Sequence, residues 1–510
     1  FCARTNQIKL EAVPFTELFV PPVCVGFPTF AGLLIDFSEF GARLFIVHNV
    51  PLWCSFGLIV DWCLWPLQGG SMFRVSLMDQ ERLRFESIVG WALVGTYLGC
   101  MVRFISSRIL YCHQPSYCHT IRPTMAITFQ LNAQSGHARA GLINTSHGDV
   151  PTPAFMPVAT QGSVKSLSPH ELRDLGARIV LGNTYHLYLR PGVELLREMG
   201  GLSSFMSWNG PTLTDSGGFQ AFSLGPRARI SDAGIMFRSL IDGSSHFFTP
   251  EKAIAYQESI GGDIIMALDQ CLTYTQDENA AYEAMERTHN WAVQCKVAHK
   301  TNEQSLFGIV QGGVFPNLRE KSATFITSLD FPGYAIGGLA VGESKSTMYP
   351  LVAQTSAILP KEKPRYLMGV GSPEDLVECV GRGIDLFDCV LPTRVARNGA
   401  LFTRNGRRDI TSAKLFRGME TPVDEGCDCF ACQNFSAGYL HHLFRSRELL
   451  GLRLASIHNL RFIMHLMEDM RRAIVSNMFH EYARDFLKYY QPTNEAVRLE
   501  QRKKRIAAWQ

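Results

Sequence analysis

The chain has 510 residues, with 49 Lys or Arg, 46 Asp or Glu and a net charge of +3. Hydrophobic residues make up 46% and charged residues 19%, an ordinary globular composition that excludes disorder and collagen-like structure and allows about two to four domains. No uninterrupted apolar run reaches the roughly 18 residues of a transmembrane helix, and so balanced a charge neither requires nor excludes a nucleic-acid partner.

The first quarter differs from the rest. Residues 1–124 carry seven of the 14 Cys, four of the seven Trp and a single Lys, Lys9. Apolar stretches there, such as Leu44 to Leu67 and Ser87 to Val102, are interrupted or short, and neither strand alternation nor a helical stripe persists. This Cys/Trp-rich segment reads as a non-native extension, with a membrane-associated anchor and a small extra domain as the alternatives. No signal peptide is read at its start. From Met125 the character changes, and Lys, capping signals and alternating elements appear.

Short apolar runs then end repeatedly in polar or glycine-rich turns. They are Arg178–Leu181, Thr212–Thr214, Ile264–Leu268, Leu306–Val310, Tyr334–Ile336, Tyr366–Met368 and Leu386–Phe387. Continuous apolar runs of this length suit strands buried on both faces of a parallel sheet. Helices between them have readable starts: Ser168-Pro-His-Glu171 is a capping box, and Thr249-Pro and Ser372-Pro repeat the cap-plus-proline signal. Gly176, Gly261 and Gly381 suit left-handed helix stops. Regular alternation predicts an α/β fold. A closed (β/α)₈ barrel is favoured over a doubly wound sheet, because polar residues follow many different strands rather than one switch point. The tail after Ser436 reads as helical, with Ile457–Tyr490 as one or two amphipathic helices, and Arg498 to Arg505 is basic.

Cys427, Cys429 and Cys432 form Cys-x-Cys-x-x-Cys, and His458 follows at the start of a predicted helix. Three thiolates and one imidazole suit a closed, structural tetrahedral zinc site. His441 and His442 are rival fourth ligands by spacing alone. Cys271, Cys295, Cys379 and Cys389 are scattered and read as reduced, which fits a cytoplasmic chain.

Asp215, Asp269 and Asp388 each follow a predicted strand. Each alone is as well read as a cap or a loop ion pair, but at one end of a barrel all three converge on one cavity. Paired carboxylates there suit glycosidic chemistry, one attacking or stabilising the anomeric carbon and the other moving protons. Gln311, Gly312, Gly337 and Gly338 offer an amide and backbone groups to a planar heterocycle. Arg394 and Arg397, followed by Arg404, Arg407 and Arg408, suit phosphates beside the reacting sugar, or else a solvated basic loop.

These motifs together resemble the tRNA-guanine transglycosylases, the queuine-type tRNA-ribosyltransferases, in their bacterial form. The matching pieces are Asp215-Ser-Gly-Gly-Phe-Gln220, Gln311-Gly-Gly313, Gly337-Gly-Leu-Ala-Val-Gly342, Phe387-Asp-Cys-Val-Leu-Pro-Thr-Arg394, Arg397-Asn-Gly399 and the cysteine motif, all within about residues 125–490. The resemblance implies a (β/α)₈ barrel over 125–500, a zinc subdomain at about 415–460 and a homodimer. It also implies exchange of the wobble guanine of tRNA for 7-aminomethyl-7-deazaguanine in queuosine biosynthesis, without a nucleotide cofactor.

Carried over residue by residue, Asp388 resembles the nucleophile and Asp215 the proton acceptor and donor. Asp215, Ser216, Gly217, Gly218, Phe219, Asp269, Gln311, Gly338, Leu339 and Met368 resemble the base-binding set, with Phe219 and Met368 sandwiching the base. Gly369, Val370, Gly371, Ser372, Pro373, Glu374 and Asp375, with Thr393, Arg394, Val395, Ala396 and Arg397, resemble the RNA-contacting segments. Gln270 stands where bacterial members have Glu, and Gly225-Pro-Arg-Ala-Arg-Ile230 departs from the usual basic stretch. Cys271 and Val341 follow the bacterial pattern rather than the queuine-using one. The alternatives are a non-catalytic RNA-binding paralogue and a transglycosylase using queuine directly. An archaeal-type enzyme is disfavoured because the chain lacks that group's C-terminal RNA-binding extension.

Overall fold

The computed structural model describes residues 31–37, 42–46, 71–79, 87–92, 127–222, 228–492 and 500, with side chains for 127–220, 228–492 and 500. The chain divides into two units, 1–120 and 121–510. In the first unit, β1 (Ala31–Phe37), β2 (Ala42–Ile46), β3 (Ser71–Asp79) and β4 (Ser87–Ala92) form an antiparallel sheet in the order β2-β1-β3-β4. The sequence reading found no strands here, although Phe73, Val75 and Leu77 alternate with Arg74 and Ser76. The rest of residues 1–124 lies outside the described residues, as does the basic run Arg498 to Arg505 except Glu500.

The second unit opens with an antiparallel sheet of β5 (Thr128–Ser135), β6 (Ala138–Thr145) and β7 (Gly148–Thr152). Next come β8 (Ala154–Met156) and β9 (Val158–Ala159), separated only by Pro157. Then follow β10 (Val180–Gly182), β11 (Thr212–Thr214), a hairpin insertion of β12 (Ala228–Ser231), β13 (Gly234–Arg238) and β14 (Ser245–Phe248), and β15 (Ile264–Met266). β16 (Ser305–Val310), β17 (Gly333–Ile336), β18 (Arg365–Leu367), β19 (Leu386–Asp388) and the hairpin β20 (Ala400–Thr403) and β21 (Gly406–Asp409) complete the set.

β8 and β9 sit at opposite ends of one parallel sheet, ordered β8-β19-β18-β17-β16-β15-β11-β10-β9. They are one strand interrupted at Pro157, and the Pro157 carbonyl still accepts from the Leu181 N–H at 3.0 Å. Taking the pair as one strand leaves eight parallel strands and closes the sheet on itself, which is the expected (β/α)₈ barrel. Each predicted strand is present, Thr212–Thr214 with the same bounds and the others with ends shifted by at most two residues. The first strand and the sheet before it escaped the sequence reading because Pro151, Pro153 and Pro157 punctuate them like a loop.

Barrel residues alternate between an interior and an outer layer. Leu213, Met266, Phe307, Ile309, Tyr366 and Leu386 belong to the cluster inside, and Ile143 and Val150 of β6 and β7 join it. The antiparallel sheet therefore plugs the end where strands begin. There the Ile127 N–H donates to Ser305 Oγ at 2.8 Å, and buried Asp263 takes His147 Nδ1 at 2.8 Å. The opposite end, where strands finish, stays open for chemistry.

Local signals hold at most helix ends. Ser168 and Glu171 make the capping box, and Thr249 Oγ1 accepts from the Lys252 N–H. Gly176 and Gly261 are left-handed, with φ of 90° and 78°. Gly381 is not: its φ is −60°, and the chain makes one further turn before Gly383 takes the left-handed position at 88°. The tail folds into helices Ala437–Arg445, Leu449–Val475 and Phe479–Tyr489. His458 thus lies well inside a helix rather than at its start. Gly451 masked the beginning of that helix; a Cβ there would approach Leu443 Cβ within 3.0 Å, so its absence lets two helices touch. Among the described residues no helix is long and apolar enough to cross a membrane.

Candidate active site

Three carboxylates gather at the strand-end mouth of the barrel. Asp215 directly follows β11 and is buried. Its Oδ1 accepts from the Thr184 N–H at 2.8 Å; its Oδ2 accepts from Gln220 Nε2 at 2.8 Å and from Asn183 Nδ2. Burial pushes its pKa up from 3.8 to about 6 against those donors, and the charge of Asp388 adds to the rise. Asp388 ends β19 and is half-buried. Tyr366 OH at 2.6 Å and the Gly369 N–H at 2.8 Å both donate to its Oδ1, so Oδ2 is the oxygen these donors leave free. Burial raises the Asp388 carboxyl, while those two donors pull it back. The Tyr366 hydroxyl, itself buried beside Asp388, is held neutral and remains a donor.

Asp269 lies beyond β15, also buried and pushed by burial to about 6. Gln311 Nε2 donates to its Oδ2 at 2.7 Å, and Ser216 Oγ lies 3.3 Å from its Oδ1. Gly338, at φ 67°, passes so close to Gln311 that a Cβ would collide with the amide oxygen. Only glycine lets this backbone approach the same pocket. Arg319, fully buried, ties the neighbouring loops together through the carbonyls of Gly313 at 2.8 Å and Gly337 at 2.7 Å. Leu339 is buried, Met368 is half-buried and Phe219 is 45% exposed, so the last two stand at the mouth. Gln270 turns its side chain away to Arg287 Nη1 at 2.6 Å. Residues 223–227 of the Gly225–Ile230 stretch lie outside the described residues; the remainder enters β12.

The two predicted RNA segments divide by exposure. Gly369 and Arg394 are exposed, and Ser372 and Arg397 are half-buried. Val370, Gly371, Pro373, Glu374, Asp375, Thr393, Val395 and Ala396 are buried. Arg394 and Arg397 sit in the last turn of helix Leu391–Arg397, directly after Asp388. Arg404, Arg407 and Arg408 are exposed on or beside the hairpin β20–β21. Sequence reasoning missed Asn183, Thr184, Gln220, Tyr366, Arg319 and Glu343. Asn183 and Thr184 were visible as a polar turn after a strand, whereas a helical Arg319 carried no signal.

Asp215 and Asp269 make folding pH-dependent in a defined sense. Both bind a proton in the folded state well above the ordinary 3.8. Between about pH 4 and 6 the folded chain holds more protons than the unfolded one, so their contribution rises as pH falls through that window. The size is on the order of 2–3 kcal/mol per group. Asp215→Asn should therefore reduce the gain in thermal midpoint on going from pH 7 to pH 5. An unchanged slope would assign the effect elsewhere.

Beyond the barrel mouth, Cys427, Cys429, Cys432 and His458 bring one ligand atom each to within 4.8 Å of one another. His458 Nδ1 lies 3.7, 3.6 and 3.3 Å from the three sulfurs in that order. Its Nε2 lies 2.7 Å from the Phe402 carbonyl and donates to it, so the neutral ring presents Nδ1 as the ligand atom for a metal. His441 instead faces the Ile410 carbonyl at 2.7 Å, and His442 is exposed. The rival ligands are thereby removed, and the cluster could hold a metal ion. Cys271, Cys295 and Cys379 are free thiols.

A family model described as queuine tRNA-ribosyltransferase matches residues 134–492. Curated relatives named queuine tRNA-ribosyltransferase agree. That of Desulforamulus reducens is 54% identical over 368 residues, 72% of this chain and 99% of the relative. That of Pelotomaculum thermopropionicum is 55% identical over 369 residues, 72% of this chain and all of the relative. That of Herpetosiphon aurantiacus is 54% identical over 379 residues, 74% of this chain and 96% of the relative. With three carboxylates at the barrel mouth and a family match spanning the whole barrel, the chain belongs to the queuine tRNA-ribosyltransferase family.

Proposed function

We propose that this tRNA-guanine transglycosylase replaces the wobble guanine of tRNA with 7-aminomethyl-7-deazaguanine by two displacements at the ribose C1′. The observation that carries the reading is the pair at one barrel mouth, Asp215 buried and Asp388 half-buried, with the charge of Asp388 felt at Asp215. An unpaired anticodon loop lets the target base leave its stack cheaply. Asp388 Oδ2 attacks C1′, the glycosidic bond breaks, and guanine leaves with a proton from Asp215. The resulting Asp388 ester is opened by the incoming base, which gives its N–H proton back to Asp215. A group near pKa 6 suits both transfers at neutral pH. Two inversions retain configuration, and no nucleotide cofactor takes part.

Asp269 accepts from the N–H groups of guanine's Watson–Crick edge, beside Gln311, Gly338 and Leu339, with Ser216, Gly217 and Gly218 shaping the pocket. Phe219 and Met368 sandwich the base. Arg394 and Arg397 hold flanking phosphates, and Gly369 and Ser372 present the surface of their loop. Asp269→Ala should leave the Gln311 amide and the Ser216 hydroxyl unpaired in a buried pocket. That costs roughly 1–3 kcal/mol, read as a rise of about 10–100-fold in the KM for guanine; an unchanged KM refutes the assignment.

The cysteine–histidine cluster holds structural zinc, with all four positions filled by protein. A homodimer is supported by an exposed aromatic ladder near that cluster: Phe430 is 56% exposed, and Phe435 stacks on Tyr439 at 5.5 Å. Residues 1–124 are dispensable, and the enzyme works in the cytoplasm. A chain beginning at Met125 should be soluble and exchange guanine at the full-length rate; insolubility or inactivity would make the segment integral.

Base exchange on tRNA, comparing labelled guanine, the deazaguanine precursor and queuine, tests the reaction. Exchange of queuine in preference to the precursor would overturn the substrate assignment. Binding of tRNA without exchange of any base would establish the paralogue reading.

A further inference from the structure

We propose that Lys345, Glu374 and Asp375 form a buried ion cluster that positions the Asp388 carboxylate against the base-recognition loop, and that these two acids act inside the protein rather than on RNA. The inference rests on the reading of Asp388 as the nucleophile.

Lys345 is the first residue of helix Lys345–Ile358. Two residues earlier, the Glu343 carboxylate accepts from the N–H groups of Ala340, Val341 at 3.0 Å and Gly342 at 3.1 Å. That fan of hydrogen bonds shapes the loop carrying Gly338 and Leu339. From the end of this loop Lys345 Nζ reaches Glu374 Oε1 at 2.5 Å and Asp375 Oδ1 at 2.7 Å. Tyr349 OH also donates to Asp375 Oδ1 at 2.7 Å, and Arg382 lies 4.8 Å from the Tyr349 ring centroid.

The acids belong to a second loop. They occupy the first turn of helix Pro373–Val380, where the helix dipole favours negative charge and offsets the second carboxylate. The Glu374 and Asp375 side chains are 11% and 8% exposed, and that of Lys345 is 14% exposed. Ser372 Oγ donates to Asp375 Oδ2 at 2.5 Å, fixing the end of the segment that begins at Gly369. The Gly369 N–H is one of the two donors on Asp388 Oδ1. A continuous path therefore runs from the base side of the pocket, through Lys345, Asp375 and Ser372, to the nucleophile.

A buried ion pair adds little net stability over an apolar replacement, because desolvation consumes the attraction. What it supplies is a fixed geometry. Without Lys345 two adjacent buried carboxylates repel each other, and the turn holding Gly369 is free to shift. A displacement of about 1 Å at a positioned group costs up to roughly 100-fold in rate. Tyr366 on β18 and Asp215 after β11 are the titratable groups whose charge or hydrogen bond meets Asp388, and Cys389, its chain neighbour, acts on the Tyr366 hydroxyl. Weakening the Gly369 donor therefore leaves Tyr366 alone to favour the charged form of Asp388.

The test is single-turnover formation of the covalent tRNA adduct by the full chain, measured from pH 5 to 8 alongside tRNA affinity. In Lys345→Met we expect adduct formation to fall at least about tenfold, with its acid limb moved to higher pH and tRNA affinity within about twofold. An unchanged rate and limb, or a loss confined to tRNA affinity, would overturn the proposal. Should Lys345→Met not fold, Tyr349→Phe removes only the hydroxyl tie to Asp375 Oδ1 and should give the same changes on a smaller scale; a wild-type profile there overturns it equally. Absence of an Asp388 adduct in the unsubstituted enzyme would instead remove the reading of the nucleophile.

Discussion

Asp388→Asn is expected to abolish guanine exchange and adduct formation while leaving the fold and tRNA binding intact. Tyr366 OH and the Gly369 N–H both donate to Oδ1, and an asparagine amide oxygen in that place keeps both hydrogen bonds. The atom replaced is Oδ2, the oxygen that carries negative charge and forms the ester in the proposed reaction. An amide nitrogen there is neither anionic nor a competent leaving group in the second displacement. Loss of a covalent nucleophile costs on the order of 10⁴-fold or more. Quenched reaction mixtures analysed by gel and peptide mass spectrometry give the answer. An adduct that persists in Asp388→Asn, or one mapped to the peptide containing Asp215, reverses the roles of the two acids but keeps the reaction class.

The second large effect concerns Cys429→Ala. Cys429 caps helix Phe430–Asn434, its sulfur receiving the Cys432 N–H at 3.3 Å, and it is one of three sulfurs around His458 Nδ1. His458 lies on the long helix Leu449–Val475, which packs against β5 and β6 of the antiparallel sheet and β8 of the barrel. Zinc would thus tie the segment around 427–432 to a helix that is part of the main core. Structural zinc supplies on the order of 10 kcal/mol in small domains. We expect the substitution to lose the metal, lower the thermal midpoint and expose the 413–447 region to proteolysis, while the barrel stays folded. One zinc per chain measured in the purified wild type, absent from Cys429→Ala, supports this. Wild type without zinc, or a variant retaining it, contradicts it.

Reading of the sequence went far because barrel enzymes place function where each strand ends. Apolar runs of two to five residues followed by Asp215, Asp269, Gln311, the Gly337-Gly338 pair or Asp388 carry both strand and candidate site in one local pattern. The same holds for Cys427, Cys429 and Cys432, held within one tight turn. Chain neighbours suffice for such features, since backbone geometry limits how far they can separate. Strand closure was less legible. Pro157 looks like a break, yet the strand on either side of it pairs with β19 and β10, and only the assembled sheet shows that it closes the barrel.

Choices between equivalent residues also waited for three dimensions. His441, His442 and His458 are chemically identical candidates. Only the partners decide: Ile410 takes the first, solvent the second, and Phe402 orients the third toward the sulfurs. The support of Asp388 was equally hidden. Tyr366 lies 22 residues before Asp388, and Lys345 lies 29 before Glu374. No periodicity or spacing links such pairs, because their contact is made by parallel strands meeting at the barrel mouth and by loops folding over it. The sequence alone determined which side chains could do the chemistry; the barrel determined which carboxylate oxygen is left free, which acids turn inward and which imidazole meets the thiols. The reason is physical: local sequence sets strand ends and turns, whereas hydrogen-bond partners and burial depend on distances that only tertiary packing fixes.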